Sequence, residues 1–158
     1  MRCTLAWPMD FNRSLTSFRP HLDAALNVIK LALYNTHPPV RIIFSSSVAV
    51  VGRYPVLTGR RLVEEIAMAD PSAVDHFGYA EAKWVCERMF EEASRLYAGK
   101  LSATSVRIGQ MTGAEKTGGW NTAEHLPMIV KSCVAIQKIP DLRGVRRSFS
   151  YSDPAESD

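Results

Sequence analysis

At 158 residues, with 46% apolar and 22% charged side chains, the chain suits one soluble globular domain and is too short for two comfortable ones. A net charge of +3 argues against a nucleic-acid or membrane partner, since Arg143, Arg146 and Arg147 cluster only in a polar tail. No stretch approaches the ~20 apolar residues of a membrane span, and the opening run, broken by Pro8, is too short for a secretory signal. Cys3, Cys86 and Cys133 are odd in number and far apart, which disfavours a disulfide framework or a metal site and favours a reducing, cytoplasmic setting.

Leu5-Ala6-Trp7, stopped by Pro8, reads as a strand end. From Pro20, the spacing of Leu22, Ala25, Leu26, Ile29 and Leu33 predicts a helix, closed by His37-Pro38-Pro39. Val40 to Phe44 reads as a strand buried on both faces, with Ser45, Ser46 and Ser47 at its end. A loop holding Pro55 and Gly59 and a mixed stretch from 60 to 78 follow. The clearest helix carries Ala82, Val85, Cys86, Met89, Phe90, Ala93, Leu96 and Tyr97 in one stripe, with Gly99 at its C-terminal cap. Leu101 to Ile108 alternates as a strand, and 109 to 119 is a Gly/Thr loop. Asn121 and Glu124 resemble a capping pair before a helix bearing Leu126, Ile129, Val130, Cys133 and Val134. Cys86 and Cys133 fall at apolar helical positions and are expected as buried thiols. The tail from 143 to 158 is polar and expected to be disordered. Strands alternating with helices imply a parallel sheet of an α/β domain.

Tyr79 and Lys83 stand four apart, one turn apart on one helix face. A neighbouring ammonium is expected to lower the phenol pKa and make it a usable proton donor. Alone the pair is weak, since Tyr-x-x-x-Lys arises by chance in roughly a third of chains this long. Serines at the end of a parallel strand are better placed, because ligands of open α/β sheets bind beyond the carboxyl ends of strands. The ordered set is more specific: strand, serines, loop, Tyr-x-x-x-Lys opening a helix, then a second strand.

Phe44-Ser45-Ser46-Ser47-Val48-Ala49-Val50-Val51-Gly52 and Gly78-Tyr79-Ala80-Glu81-Ala82-Lys83 resemble the active-site core of extended short-chain dehydrogenase/reductases. Ala6-Trp7-Pro8-Met9-Asp10-Phe11-Asn12, Trp84-Val85-Cys86-Glu87-Arg88, Val106-Arg107-Ile108-Gly109-Gln110 and Gly119-Trp120-Asn121 resemble the thioester-reductase (male-sterility-type) domains of fungal adenylate-forming reductases and nonribosomal peptide synthetase-like enzymes. The resemblance runs from residue 5 to about residue 142. It implies the C-terminal half of a Rossmann-like, doubly wound domain. It further implies NADPH-dependent reduction of a phosphopantetheine-linked acyl thioester, held on a carrier domain, to an aldehyde. On that pattern Ser47, Tyr79 and Lys83 are catalytic. Tyr79, Lys83, Gly109 and Gln110 meet the cofactor, Ser46, Ser47 and Trp120 meet the substrate, and no metal is involved.

The chain departs from the pattern in three ways. The family's Gly-x-x-Gly-x-x-Gly phosphate loop is not present, His21 stands where many relatives place an Asn, and the residues after 142 do not continue the family's sheet. The isolated chain is therefore expected to lack turnover. Two alternatives stand beside the reductase reading. One is another extended-family enzyme, such as an epimerase, dehydratase or fatty acyl-CoA reductase. The other is a non-catalytic piece or docking module of the same fold.

Overall fold

The computed structural model describes residues 7–8, 10–34, 39–114 and 116–139. The predicted strand end at Leu5-Ala6-Trp7 falls largely outside them, and the polar tail from 143 to 158 wholly so. The chain divides into two compact units, residues 1–108 and 109–158. Among the described residues no helix is long and apolar enough to cross a membrane.

In the first unit a 3-10 turn, Leu15–Phe18, leads into helix α1, Arg19–Leu33. Pro20 occupies its first turn, where a missing N–H costs nothing. Strand β1 is Val40–Ser47, extending three residues past the predicted Phe44 to take in all three serines. A 3-10 turn, Val48–Val51, and a short helix α2, Tyr54–Thr58, occupy the predicted loop. Helix α2 carries Pro55 in its first turn and closes on Gly59 at φ 71°, so the two residues placed in a loop are its two ends. Another 3-10 turn, Pro71–Ala73, precedes helix α3, Gly78–Leu96. Strand β2, Leu101–Ile108, ends the unit.

The strands pair in parallel from Val40 opposite Leu101 to Ser47 opposite Ile108, with α3 as the crossover. This is the expected α/β arrangement. One core joins Ala25, Ile29 and Ala32 of α1, Ile42 and Phe44 of β1, Cys86, Phe90 and Ala93 of α3, and Leu101 of β2. The strand predicted as buried on both faces is buried on one. Ile42, Phe44 and Ser46 turn inward, while Arg41, Ile43 and Ser45 are exposed, Ile43 by 70%. The reason is that α1 and α3 both contribute to the core on the inward-facing side of β1.

Gly78 opens α3 against the chain ahead of α1. A Cβ there would lie 2.4 Å from Arg13 O, Ser14 C and Leu15 N, all backbone atoms that cannot give way. That close approach fixes where the first turn of α3, with Tyr79, begins. On β2, the Ala103 N–H donates to Ser94 Oγ at 2.8 Å, so a hydroxyl of α3 satisfies a strand amide.

The second unit holds helix α4, His125–Ile136. The predicted capping pair takes another form. Glu124 is itself the residue before the helix and makes no side-chain cap, while Asn121 Oδ1 accepts from Ala123 N at 3.0 Å in a turn ahead of it. Cys86 is buried as expected, but Cys133 is only half-buried.

Phe90 is buried with its ring 5.2 Å from that of Phe44. Phe90→Ala should cost about 3–5 kcal/mol, whereas Leu31→Ala, on the exposed side of α1, should stay within about 0.5 kcal/mol. Urea unfolding of both variants checks this.

Candidate active site

The carboxyl end of β1 and the first turns of α3 bring Ser47, Tyr79 and Lys83 to one place. Ser47 ends the strand with extended backbone and caps the following turn, its Oγ accepting from Ala49 N at 3.3 Å. That leaves the hydroxyl proton free to donate elsewhere. The loops on either side of α2 are tied together by Asp75 N to Ala49 O at 2.9 Å and Arg53 N to Ala73 O at 3.0 Å.

Tyr79 is 7% exposed and caged by rings. Phe11 and Phe18 meet it edge-on with centroids at 5.4 and 6.2 Å, Trp7 edge-on at 6.2 Å, and Phe77 stacks nearly parallel at 6.3 Å. Burial pushes its phenol above the usual 10, and a hydrogen bond from Ser47 draws it partly back. The expectation that Lys83 lowers this pKa is not met. The ammonium lies over the face of the ring, 5.5 Å from its centroid, where it meets the π-cloud instead of the phenol oxygen.

Lys83 is 3% exposed and has no carboxylate among its described contacts. Its Nζ donates to Ser45 O at 2.6 Å and sits 4.4 Å from the Trp7 ring centroid and 4.9 Å from that of Phe44. Burial lowers its pKa from 10.5 to about 8. Trp7 also stacks on His21, at 5.0 Å, and its buried Nε1 has no hydrogen-bond partner. Trp7 thus meets both His21 and Lys83.

Ser46, expected at the substrate, turns the other way. Strand alternation puts it on the helix side, 3% exposed, with its Oγ donating to Glu87 Oε1 at 2.5 Å. Glu87 also receives Arg107 through Nε at 3.1 Å and Nη2 at 2.8 Å. Neither Glu87 nor Arg107 was singled out from sequence. The available signal was a carboxylate at the i+4 position from Lys83, on the apolar stripe shared with Ala82, Cys86 and Phe90.

In the second unit Gly109 and Gln110 continue the chain after β2. Gln110 Nε2 donates to Met111 O at 3.0 Å and reaches Glu124 Oε2 at 3.5 Å, and Trp120 Nε1 donates to the same oxygen at 2.9 Å. Glu124 thus gathers two of the predicted contact residues. A separate cleft of about 510 Å³ in the first unit is lined by Arg53, Asp75, His76, Glu81 and Trp84 among others, and by none of Ser47, Tyr79 or Lys83.

Two shifts on α3 give a pH signature. Lys83 loses its proton at about pH 8 when folded and 10.5 when unfolded, so between these values the unfolded chain binds more protons and stability rises with pH. Burial pushes the Cys86 thiol from 9.0 up to about 12, so from pH 9 upward stability falls on its account. Thermal stability should therefore climb from pH 8 to 9, level off to about pH 10.5 and fall beyond it. Lys83→Met should abolish the climb in melting curves followed by circular dichroism.

Residues 8–150 match the sequence family described as Male sterility protein, NAD_binding_4. The chain is similar to an adenylate-forming reductase of Aspergillus terreus, 37% identical over 142 residues. It is also similar to the adenylate-forming reductase stbB of Stachybotrys bisbyi, 35% identical over 152 residues, and to the non-reducing polyketide synthase AC of Didymella fabae, 40% identical over 144 residues. These matches cover 87%, 96% and 88% of the chain but only 13%, 14% and 5% of the respective relatives.

Proposed function

Since the chain belongs to the male sterility protein family of NAD-binding domains, we propose that it carries the catalytic residues of a nicotinamide-dependent reductase. Its substrate is an acyl thioester linked to a carrier by phosphopantetheine, its reductant is NADPH, and its product is an aldehyde. The observation that carries this reading is the meeting of Ser47, Tyr79 and Lys83 at the carboxyl end of β1. That is where open α/β sheets bind ligands. The names of the relatives, adenylate-forming reductases and a polyketide synthase, support a carrier-bound substrate.

The donor set fits the nicotinamide riboside end of such a cofactor. Lys83 has three ammonium protons and uses one on Ser45 O, which leaves donors for ribose hydroxyls once the Trp7 ring moves aside. When bound, a reduced nicotinamide supplies the hydride to the thioester carbonyl carbon. The chain's own residues then manage the oxygen. Ser47 donates a hydrogen bond to it and fixes its place. Tyr79 gives it a proton as its negative charge develops, forming a hemithioacetal. The C–S bond then breaks, the proton leaves with the sulfur as the carrier thiol, and the carbonyl reforms as the aldehyde. Lys83, buried beside the Tyr79 ring, holds the cofactor's ribose with its remaining ammonium protons. Gly109 and Gln110 are proposed as cofactor contacts and Trp120 as a substrate contact. Ser46, committed to Glu87, is given no substrate role.

Calorimetry with NADPH tests the reading. The folded chain should bind saturably, and Lys83→Met should weaken binding by about tenfold or more, on the order of 1.4 kcal/mol. Tyr79→Phe should bind NADPH normally and lose reduction of a pantetheine acyl thioester. A folded chain that shows no saturable binding would leave the non-catalytic alternative in its place.

A further inference from the structure

We propose that Ser46, Glu87 and Arg107 form a positioning cluster that locks the carboxyl ends of both strands to α3 and so holds Ser47 against Tyr79. The inference rests on the roles given above to Ser47 and Tyr79.

Glu87 lies one turn beyond Lys83 and two turns beyond Tyr79 on the same helix face, and it is 2% exposed. Its carboxylate takes Ser46 from β1 and both Nε and Nη2 of Arg107 from β2. Ser46 and Arg107 are register partners in the sheet, directly ahead of the last pair, Ser47 and Ile108. One carboxylate therefore staples two paired residues, one on each strand, to the helix that carries Tyr79. Arg107 Nη2 also donates to Ile66 O at 2.9 Å, and Trp84 Nε1 donates to Met68 O at 2.7 Å. The loop entering α3 is thus pinned by two side chains, one of them in the cluster.

Holding a helix on a sheet does not require buried charge. Apolar side chains do so at lower desolvation cost, and Phe44, Phe90 and Leu101 already do. The cluster sits farther along, at the carboxyl ends of the strands. What a two-pronged guanidinium–carboxylate pair adds is direction, because its parallel hydrogen bonds fix orientation as well as distance. The residue that gains from this is Ser47, which follows Ser46 in the strand and whose side chain hydrogen-bonds that of Tyr79.

The test is the titration of Tyr79 in the full chain, read by NMR of ring-labelled tyrosine, with the resonance assigned by its loss in Tyr79→Phe. Ser47→Ala gives the reference. Removing a donor to the phenolate should move the titration to higher pH. Ser46→Ala and Glu87→Gln should both move it toward the Ser47→Ala value. Arg107→Lys, which keeps the charge and loses the fork, should do the same, while the surface variant Arg88→Gln should not. If Ser46→Ala and Glu87→Gln melt at lower temperature but titrate Tyr79 as the wild type does, the cluster is structural only and the proposal fails. It also fails if Ser47→Ala leaves Tyr79 unmoved. Should Glu87→Gln not fold, Ser46→Ala, which deletes one hydroxyl, decides the matter. A wild-type chain that binds no NADPH would sink the reductase reading without changing these outcomes.

Discussion

A carboxylate moved out of water loses several kcal/mol of hydration unless its lone pairs are taken up by donors close at hand. Glu87 meets that demand with a serine and a two-pronged arginine, and each partner comes from a different strand. The geometry of the upper half of the first unit follows from this. Arg107 can reach Glu87 only if β2 is in register with β1, because its partner across the sheet is Ser46, which bonds the same carboxylate. Breaking one bond leaves a buried charge short of partners, and Arg107 links the same carboxylate to the loop at Ile66.

Lys83, one turn earlier, solves the problem of a buried charge differently. Glu87 is matched by an opposite charge, whereas Lys83 is given a carbonyl and the faces of three rings. Quadrupoles and one dipole compensate a cation less fully than a carboxylate would, and the remaining imbalance is the depression of its pKa to about 8. A paired lysine would hold its proton firmly. This one gives its proton up at about pH 8. Trp7, one of the rings at the lysine, also meets Tyr79, whose ring is further held by Phe11, Phe18 and Phe77.

The parts of the fold legible in the sequence are those where periodicity and burial agree. The stripe through Ala82, Cys86, Phe90 and Ala93 marks α3 because each of those residues is in fact buried. Alternation in 101–108 marks β2, whose burial also alternates from Leu101, although Val106 and Ile108 are on its exposed side. The order of strand, serine and Tyr-x-x-x-Lys marks the place where Ser47, Tyr79 and Lys83 meet, since the crossover forces strand end and helix start together. What stayed hidden depends on partners far along the chain. An unbroken apolar run could not say that β1 is covered on one face, because that depends on where α1 and α3 lie. The inward turn of Ser46 follows from strand parity, but only once the strand is known to extend through Ser47. Glu87 was not marked as a site residue, because its partner Arg107 is 20 residues away in sequence. The direction of the Tyr79 shift required knowing how deeply the phenol is buried, which spacing alone cannot give.

The cage also explains why the position calls for lysine and not merely for a cation. The ammonium is a compact group that one carbonyl and the surrounding rings can accommodate at 4.4 to 5.5 Å. A guanidinium is planar, presents five donors, and would leave most of them unsatisfied in an apolar enclosure. It also cannot be deprotonated in a protein, so burial would cost stability without producing a group that titrates near neutral pH. At residue 107 the requirements are reversed. There the partner is a carboxylate with two oxygens, the fork matches it, and a permanent charge is an advantage because the ion pair must persist at every pH at which the strands are to stay in register. Lys83 and Arg107 thus differ in their surroundings: one cation is held by a carbonyl and ring faces, the other by a carboxylate matched to its fork.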